Sequence, residues 1–157
     1  MIELKRASCE DAETIWRMQV KSFSDLLKKY NDYDTNPGNE SLDKVIWRLN
    51  QNSTYFYLIL YEGITVGAIR VVDNLNSSSY KRISPIFILP EWRNQGFAQA
   101  AIRAVEAIHG QDMWELETIL EEKLNCLLYE KMGYIKTDLI QKINENMTLI
   151  VYKKHGK

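Results

Sequence analysis

Residues 2–6 alternate apolar Ile2 and Leu4 with Glu3 and Lys5, the period of a half-buried strand. Ser8 stands three residues before Asp11, a capping-box spacing that satisfies orphan amides where a helix begins. Ile15, Met18, Phe23, Leu26, Leu27 and Tyr30 then fall on one helical face. Asn31–Ser41, with Pro37 and Gly38, reads as a loop, and Leu42, Val45, Ile46 and Leu49 form the stripe of a shorter helix. The middle of the chain is β-rich. Thr54–Tyr61 and Ile64–Asp73 are dense in aromatic and β-branched residues and are split by a Glu62-Gly63 turn. A polar loop over 74–79 leads to a strand at Arg82–Leu89, which is almost continuously apolar after Pro85 and so predicts burial on both faces. Pro85 removes one ladder donor and predicts a splayed stretch there.

Helical spacing returns at Ala98, Ala101, Ile102, Val105 and Ile108, with Gly110 as C-cap. A strand at Met113–Ile119, a helix at Glu121–Met132 ended by Gly133, and a hairpin of Tyr134–Ile143 with Met147–Lys153 complete the chain. The order β-α-α-β-β-β-α-β-α-β-β predicts a single α/β (α+β) domain over residues 1–157.

Composition narrows the function. The chain is 45% hydrophobic, enough for a real core, which excludes disordered and low-complexity classes. Its net charge of -1, without any Lys/Arg block, leaves no electrostatic footprint for nucleic acid. No apolar run suits a signal peptide or a membrane span, so a cytoplasmic protein is expected. Cys9 and Cys126 form neither a disulfide framework nor a metal set, and no metal is expected. Cys126, beside Leu127 and Leu128, reads as a small buried thiol.

The most informative segment is Leu89-Pro90-Glu91-Trp92-Arg93-Asn94-Gln95-Gly96-Phe97-Ala98, where a strand feeds a glycine turn that opens an Ala-rich helix. Free amides and the positive end of the dipole make such a start an anion site. Gly96 permits close approach by a ligand, and Arg93 offers a guanidinium for a phosphate. The missing second and third glycines exclude a dinucleotide fingerprint, and no Gly-Lys-Ser/Thr of a P-loop is present.

Arg93, Gly96 and Ala98, after Leu89-Pro90-Glu91, resemble motif A of the GNAT superfamily of N-acetyltransferases. About thirty residues on, Asn125-Cys126-Leu127-Leu128-Tyr129-Glu130-Lys131-Met132-Gly133-Tyr134 is similar to that family's Asn-x-x-x-Tyr-Glu-Lys-x-Gly-Phe/Tyr. Asn94 and Ala98 stand where the family usually has glycine. The resemblance implies a central mixed, mostly antiparallel sheet of about seven strands flanked by four helices. It also implies acetyl-CoA as cosubstrate. Ile86, Phe87 and Ile88 would contact the pantetheine arm, Arg93, Asn94, Gln95, Gly96, Phe97 and Ala98 would form the pyrophosphate loop, and Asn125 would contact pantetheine.

It further implies that the Tyr129 hydroxyl lies near the thioester sulfur. A phenol of pKa about 10 protonates a departing thiolate if it is within reach, which makes Tyr129 the expected general acid. An N–H near Ile88 would stabilise the oxyanion. Many relatives carry a glutamate as base where this chain has Ser84. The remaining candidates are Glu115 and Glu117, and Glu117 is preferred because Leu116-Glu117-Thr118 lies nearest the Asn125 helix. His109 and His155 are unsuited by their positions at a helix end and near a terminus.

The expected reaction is direct acetyl transfer to a primary amine of a small cationic molecule or a lysine-bearing peptide. Asp32, Asp34 and Glu40, with Tyr30 and Tyr33, are the groups that would attract it. A non-catalytic acyl-CoA-binding or regulatory module, kept open by Ser84, is the alternative. The strand around Thr148–Tyr152 offers an edge for a possible homodimer or pairs within the monomer.

Overall fold

The capping box forms as its spacing requires: Asp11 Oδ2 accepts the Ser8 amide at 2.9 Å and Ser8 Oγ accepts from Glu10 at 3.3 Å. It opens a short 3₁₀ turn that runs directly into the first α-helix. The computed structural model describes residues 1–75 and 79–155. The serine-rich stretch expected as a loop therefore lies partly outside the described residues.

The elements run β1 (Ile2–Arg6), α1 (Ala12–Tyr30), α2 (Leu42–Leu49), β2 (Thr54–Tyr61), β3 (Ile64–Val72), β4 (Lys81–Ile88), α3 (Phe97–His109), β5 (Trp114–Ile119), α4 (Lys123–Lys131), β6 (Ile135–Asn144) and β7 (Met147–Lys154). One seven-stranded sheet has the order β1-β2-β3-β4-β5-β7-β6. Among the described residues only β4 and β5 pair in parallel; every other pair is antiparallel. Strand alternation sorts the core into two layers. Phe56, Leu58 and Ala68 pack under α1 and α2, against Ile15, Met18 and Val45. Tyr57, Ile59, Val66 and Ile69 pack on the other face, against Phe97, Ala101, Ile102 and Val105 of α3.

The terminal hairpin takes one of its two expected arrangements. Strand β7 pairs with β5 on one side and β6 on the other, so the edge of the sheet is β6. The Thr148–Tyr152 stretch is thus paired within the monomer. Helix α4 also begins two residues later than its spacing suggests. Glu121 and Glu122 turn their carboxylates to Thr148 N and to Tyr30 and Lys29 instead.

The feature that positions the site is a bulge in β4. Val71 pairs with Ile83 and Ile69 with Ile86, so Ser84 and Pro85 contain one residue more than the facing strand. Pairing of β4 with β5 stops at Ile83 opposite Leu116. The splay expected at Pro85 is present, and the strands part there into a V. Arg70 Nη1 reaches the Ser84 carbonyl at 2.6 Å, taking an acceptor that lost its strand partner. Gly67 lets β3 stay against the bulged strand, since a Cβ there would meet Phe87 O at 2.1 Å.

Candidate active site

Beyond the bulge the main chain of β4 changes hand. Leu89 N–H donates to Val66 O at 2.8 Å, so alternation turns Phe87 N–H toward β3 and the N–H groups of Ile86 and Ile88 toward the V. Of the three strand residues implied as pantetheine contacts, Ile86 and Ile88 thus offer main-chain amides to a ligand. Phe87 offers only its side chain, which packs edge-on to Phe23 of α1.

The loop after β4 is a 3₁₀ turn at Pro90–Trp92, then Asn94 at φ 65° and Gly96 at φ 81°. Left-handed backbone suits Gly and Asn, so Asn94 takes the conformation that a glycine there would supply. Gly96 is the N-cap of α3 and offers no side-chain cap. The first-turn amides of Phe97, Ala98 and Gln99 therefore remain available to an anion.

Arg93 is placed differently from its sequence reading. Its Nη2 donates to Ser22 O and its Nε to Ile88 O at 3.2 Å, so the guanidinium ties α1 to the end of β4. Arg93 still lines the same cleft as Gly96. Gln95 is exposed and stands outside the lining of the cleft, where Gln99 stands inside it.

These groups border a cleft of about 640 Å³. Its floor is Ile86, Phe87 and Ile88, one end is Arg93, Asn94, Gly96, Phe97 and Ala98, and its walls are α1 and α4. A second cavity of about 190 Å³ opens from it under the loop between α1 and α2. Phe23, Leu26, Ile86, Asn125 and Tyr129 line both, so the two spaces meet at these side chains. Asn125 and Tyr129, four apart on α4, share one helical face as their spacing requires. Burial pushes the Tyr129 hydroxyl up to about 12, with Cys126 adding to the effect, so it is a protonated donor at neutral pH.

The smaller cavity carries Asp32, Ser84 and Glu117. Glu115 lies outside it and pairs with Arg82 at 2.9 Å, while Glu117 stands 3.7 Å from the same guanidinium. Of that loop's carboxylates and tyrosines, Asp32 alone lines the cavity, beside Thr35, Asn36 and Pro37. Glu40 is bound to Arg48, Asp34 and Tyr33 are exposed, and Tyr30 donates to Glu122. His109 is buried between Asp73 at 3.0 Å and Tyr57 at 2.9 Å, and His155 rests on Tyr80 at 2.9 Å. Cys126 is the buried thiol expected, 4% exposed. Phe23 and Leu26 of α1 were legible only as core residues, because a cavity wall and a core stripe share the same helical spacing.

A cleft running over uncapped helix amides into a smaller cavity that holds two carboxylates is the layout of an acyl-transferring enzyme. The acetyltransferase (GNAT) family model matches residues 17–134, and the chain belongs to that family. The ribosomal-protein-S18-alanine N-acetyltransferase of Escherichia coli superposes with a TM-score of 0.73 at 12% identity, over 97% of this chain and 92% of that one. The PaiA N-acetyltransferase of Thermoplasma acidophilum, solved with coenzyme A, gives 0.69 at 14% identity over 99% of each chain. A spermidine N-acetyltransferase SpeG chimera, from Vibrio cholerae and hSSAT, gives 0.71 at 16%, over 98% and 95%. At such identities the likeness is one of fold. No curated protein sequence matches the chain. Among the described residues no helix is long and apolar enough to cross a membrane.

Proposed function

We propose that this chain transfers an acetyl group from acetyl-CoA directly to a primary amine of a small cationic molecule. The observation that carries the reading is the junction at Tyr129, a residue with a donor hydroxyl that lines both the long cleft and the acidic cavity.

In this reading the Ile86 and Ile88 amides and the α3 amides hold the cosubstrate, which supplies the activated acetyl carbonyl. The Ile88 N–H faces the carbonyl oxygen as charge builds there. The amine nitrogen attacks the carbonyl carbon, the carbon–sulfur bond breaks, and Tyr129 gives its proton to the sulfur. Glu117 takes the proton that the amine sheds, through water. Asp32 and Glu117 give the acceptor cavity its preference for cations.

Acetyl-CoA at about 100 times its dissociation constant is expected to add about 2.7 kcal/mol to stability, read as a raised unfolding midpoint. Amine-dependent release of free thiol then tests transfer. A midpoint shift with no thiol release from any amine would leave the non-catalytic acyl-CoA-binding module, which Ser84 supports by removing the carboxylate relatives use as base.

A further inference from the structure

Three carboxylates are buried among the described residues: Asp32, Asp73 and Glu106, 3%, 7% and 3% exposed. Two have basic partners within the chain. Asp73 meets His109 at 3.0 Å and Glu106 meets Lys154 at 3.1 Å. Among the described residues Asp32 has none within ion-pair distance, although a buried charge costs much unless it is paired. Its oxygens accept from Asp34 N at 3.2 Å, Thr35 N at 3.0 Å and the Thr35 hydroxyl, which orient it without bringing a charge.

Among the described residues, no Lys, Arg or His lines the cavity that Asp32 lines. Its other carboxylate, Glu117, comes from β5, while Asp32 comes from the loop that roofs the cavity. Glu117 keeps only a long 3.7 Å contact with Arg82, whose shorter one, 2.9 Å, goes to Glu115. The walls are apolar, formed by Phe23, Leu26, Leu116, Ile119, Met147 and Leu149. The volume of about 190 Å³ is roughly six waters' share of the liquid, the bulk of a chain of six or seven non-hydrogen atoms.

We infer that Asp32 is the subsite for a second ammonium and that the acceptor is a short linear α,ω-diamine. The reacting amine sits at Glu117 and Tyr129, the methylenes lie along the apolar walls, and the distal ammonium pairs with Asp32. This rests on the amine-acetylating reading above. A lysine side chain in a peptide would bring only one cation, and a long triamine would overfill the cavity.

The test compares kcat/KM, by thiol release, for 1,4-diaminobutane and 1,5-diaminopentane against butylamine and pentylamine. The diamines are expected to exceed the monoamines by about tenfold or more, the low end for a hydrogen bond to a charged group. Asp32→Asn, which keeps the acceptor oxygen for the loop amides, is expected to bring that ratio close to one. In the wild-type chain, diamines two carbons shorter or several carbons longer are expected to fall off on both sides. Equal use of diamines and monoamines, better use of a lysine peptide, or a ratio that survives Asp32→Asn would overturn the assignment. If that variant does not fold, the wild-type chain-length series decides. If no amine releases thiol, the transfer reading fails by itself, and calorimetric titration of 1,4-diaminobutane into the acetyl-CoA complex then judges the subsite: no binding removes it.

Discussion

Arg93 and Ser22 join the loop after β4 to α1: the guanidinium that follows β4 donates to the Ser22 carbonyl, seventy-one residues earlier in the chain. Removing it breaks two hydrogen bonds from a charged donor, the other being to Ile88 O. Arg93→Ala is expected to cost about 1–3 kcal/mol of stability without any ligand present. Unfolding in urea measures this. An unchanged ligand-free stability together with a lost acetyl-CoA shift would return the guanidinium to the phosphate.

Tyr129→Phe keeps the ring that packs against Tyr134 and Tyr152 and removes only the hydroxyl. Turnover is expected to fall about 10²-fold, with the acetyl-CoA midpoint shift retained. Turnover equal to wild type would end its assignment as general acid.

Alkaline stability follows from the same cluster. Burial pushes Tyr129 up to about 12 and also raises Tyr134 and Tyr152, where Glu106 and, for Tyr152, the Cys126 and Glu130 hydrogen bonds add to it. A folded-state pKa above the unfolded value near 10 means that the folded state holds protons the unfolded chain gives up. Their contribution is complete below about pH 10; that of Tyr129 is lost as pH rises toward 12, and those of Tyr134 and Tyr152, raised further, go on declining above it. Urea midpoints from neutral to alkaline pH are expected to drop in that window, and Tyr129→Phe to flatten part of the drop. A basic limb of kcat below about pH 10 would belong to a group other than Tyr129.

At the acid end, Glu122 is the counterpart. Burial opposes its ionisation, and the hydrogen bonds from Lys29 and Tyr30 outweigh burial and hold its carboxyl below the usual range. Its contribution is present above the ordinary glutamate pKa and is lost as pH falls through the lowered one. Glu122→Gln is expected to lower stability at neutral pH and to reduce the loss on acidification. A wild-type acid profile in the variant would remove Glu122 as the clasp between α1 and α4.

Gly67 tests the bulge. A Cβ placed 2.1 Å from Phe87 O forces β3 and β4 apart, since the obstacle is backbone. Gly67→Ala is expected to cost about 3 kcal/mol or more and to weaken acetyl-CoA binding with it. A variant as stable as the parent would show that the two strands slide freely.

Local chemistry was written in the order of residues. The Ser8–Asp11 box, the alternation of β2, the apolar stripe of α3, Gly96 at the head of α3 and the Asn125–Tyr129 spacing each rest on neighbours within about four positions, which is the reach of helix and strand periodicity. The splay at Pro85 was legible too, because a missing donor is a property of one residue. Only the folded chain decided which groups face each other. Arg93 donates to Ser22 O, Gln99 lines the cleft where Gln95 does not, and β7 lies inside the sheet. The fold also leaves Asp32 as the buried carboxylate without a cation, while Asp34 and Glu40 go elsewhere. Periodicity assigns a residue to a face; whether that face meets a strand, a cavity or a counter-ion depends on contacts between residues tens of positions apart, and these exist only after the layers have packed.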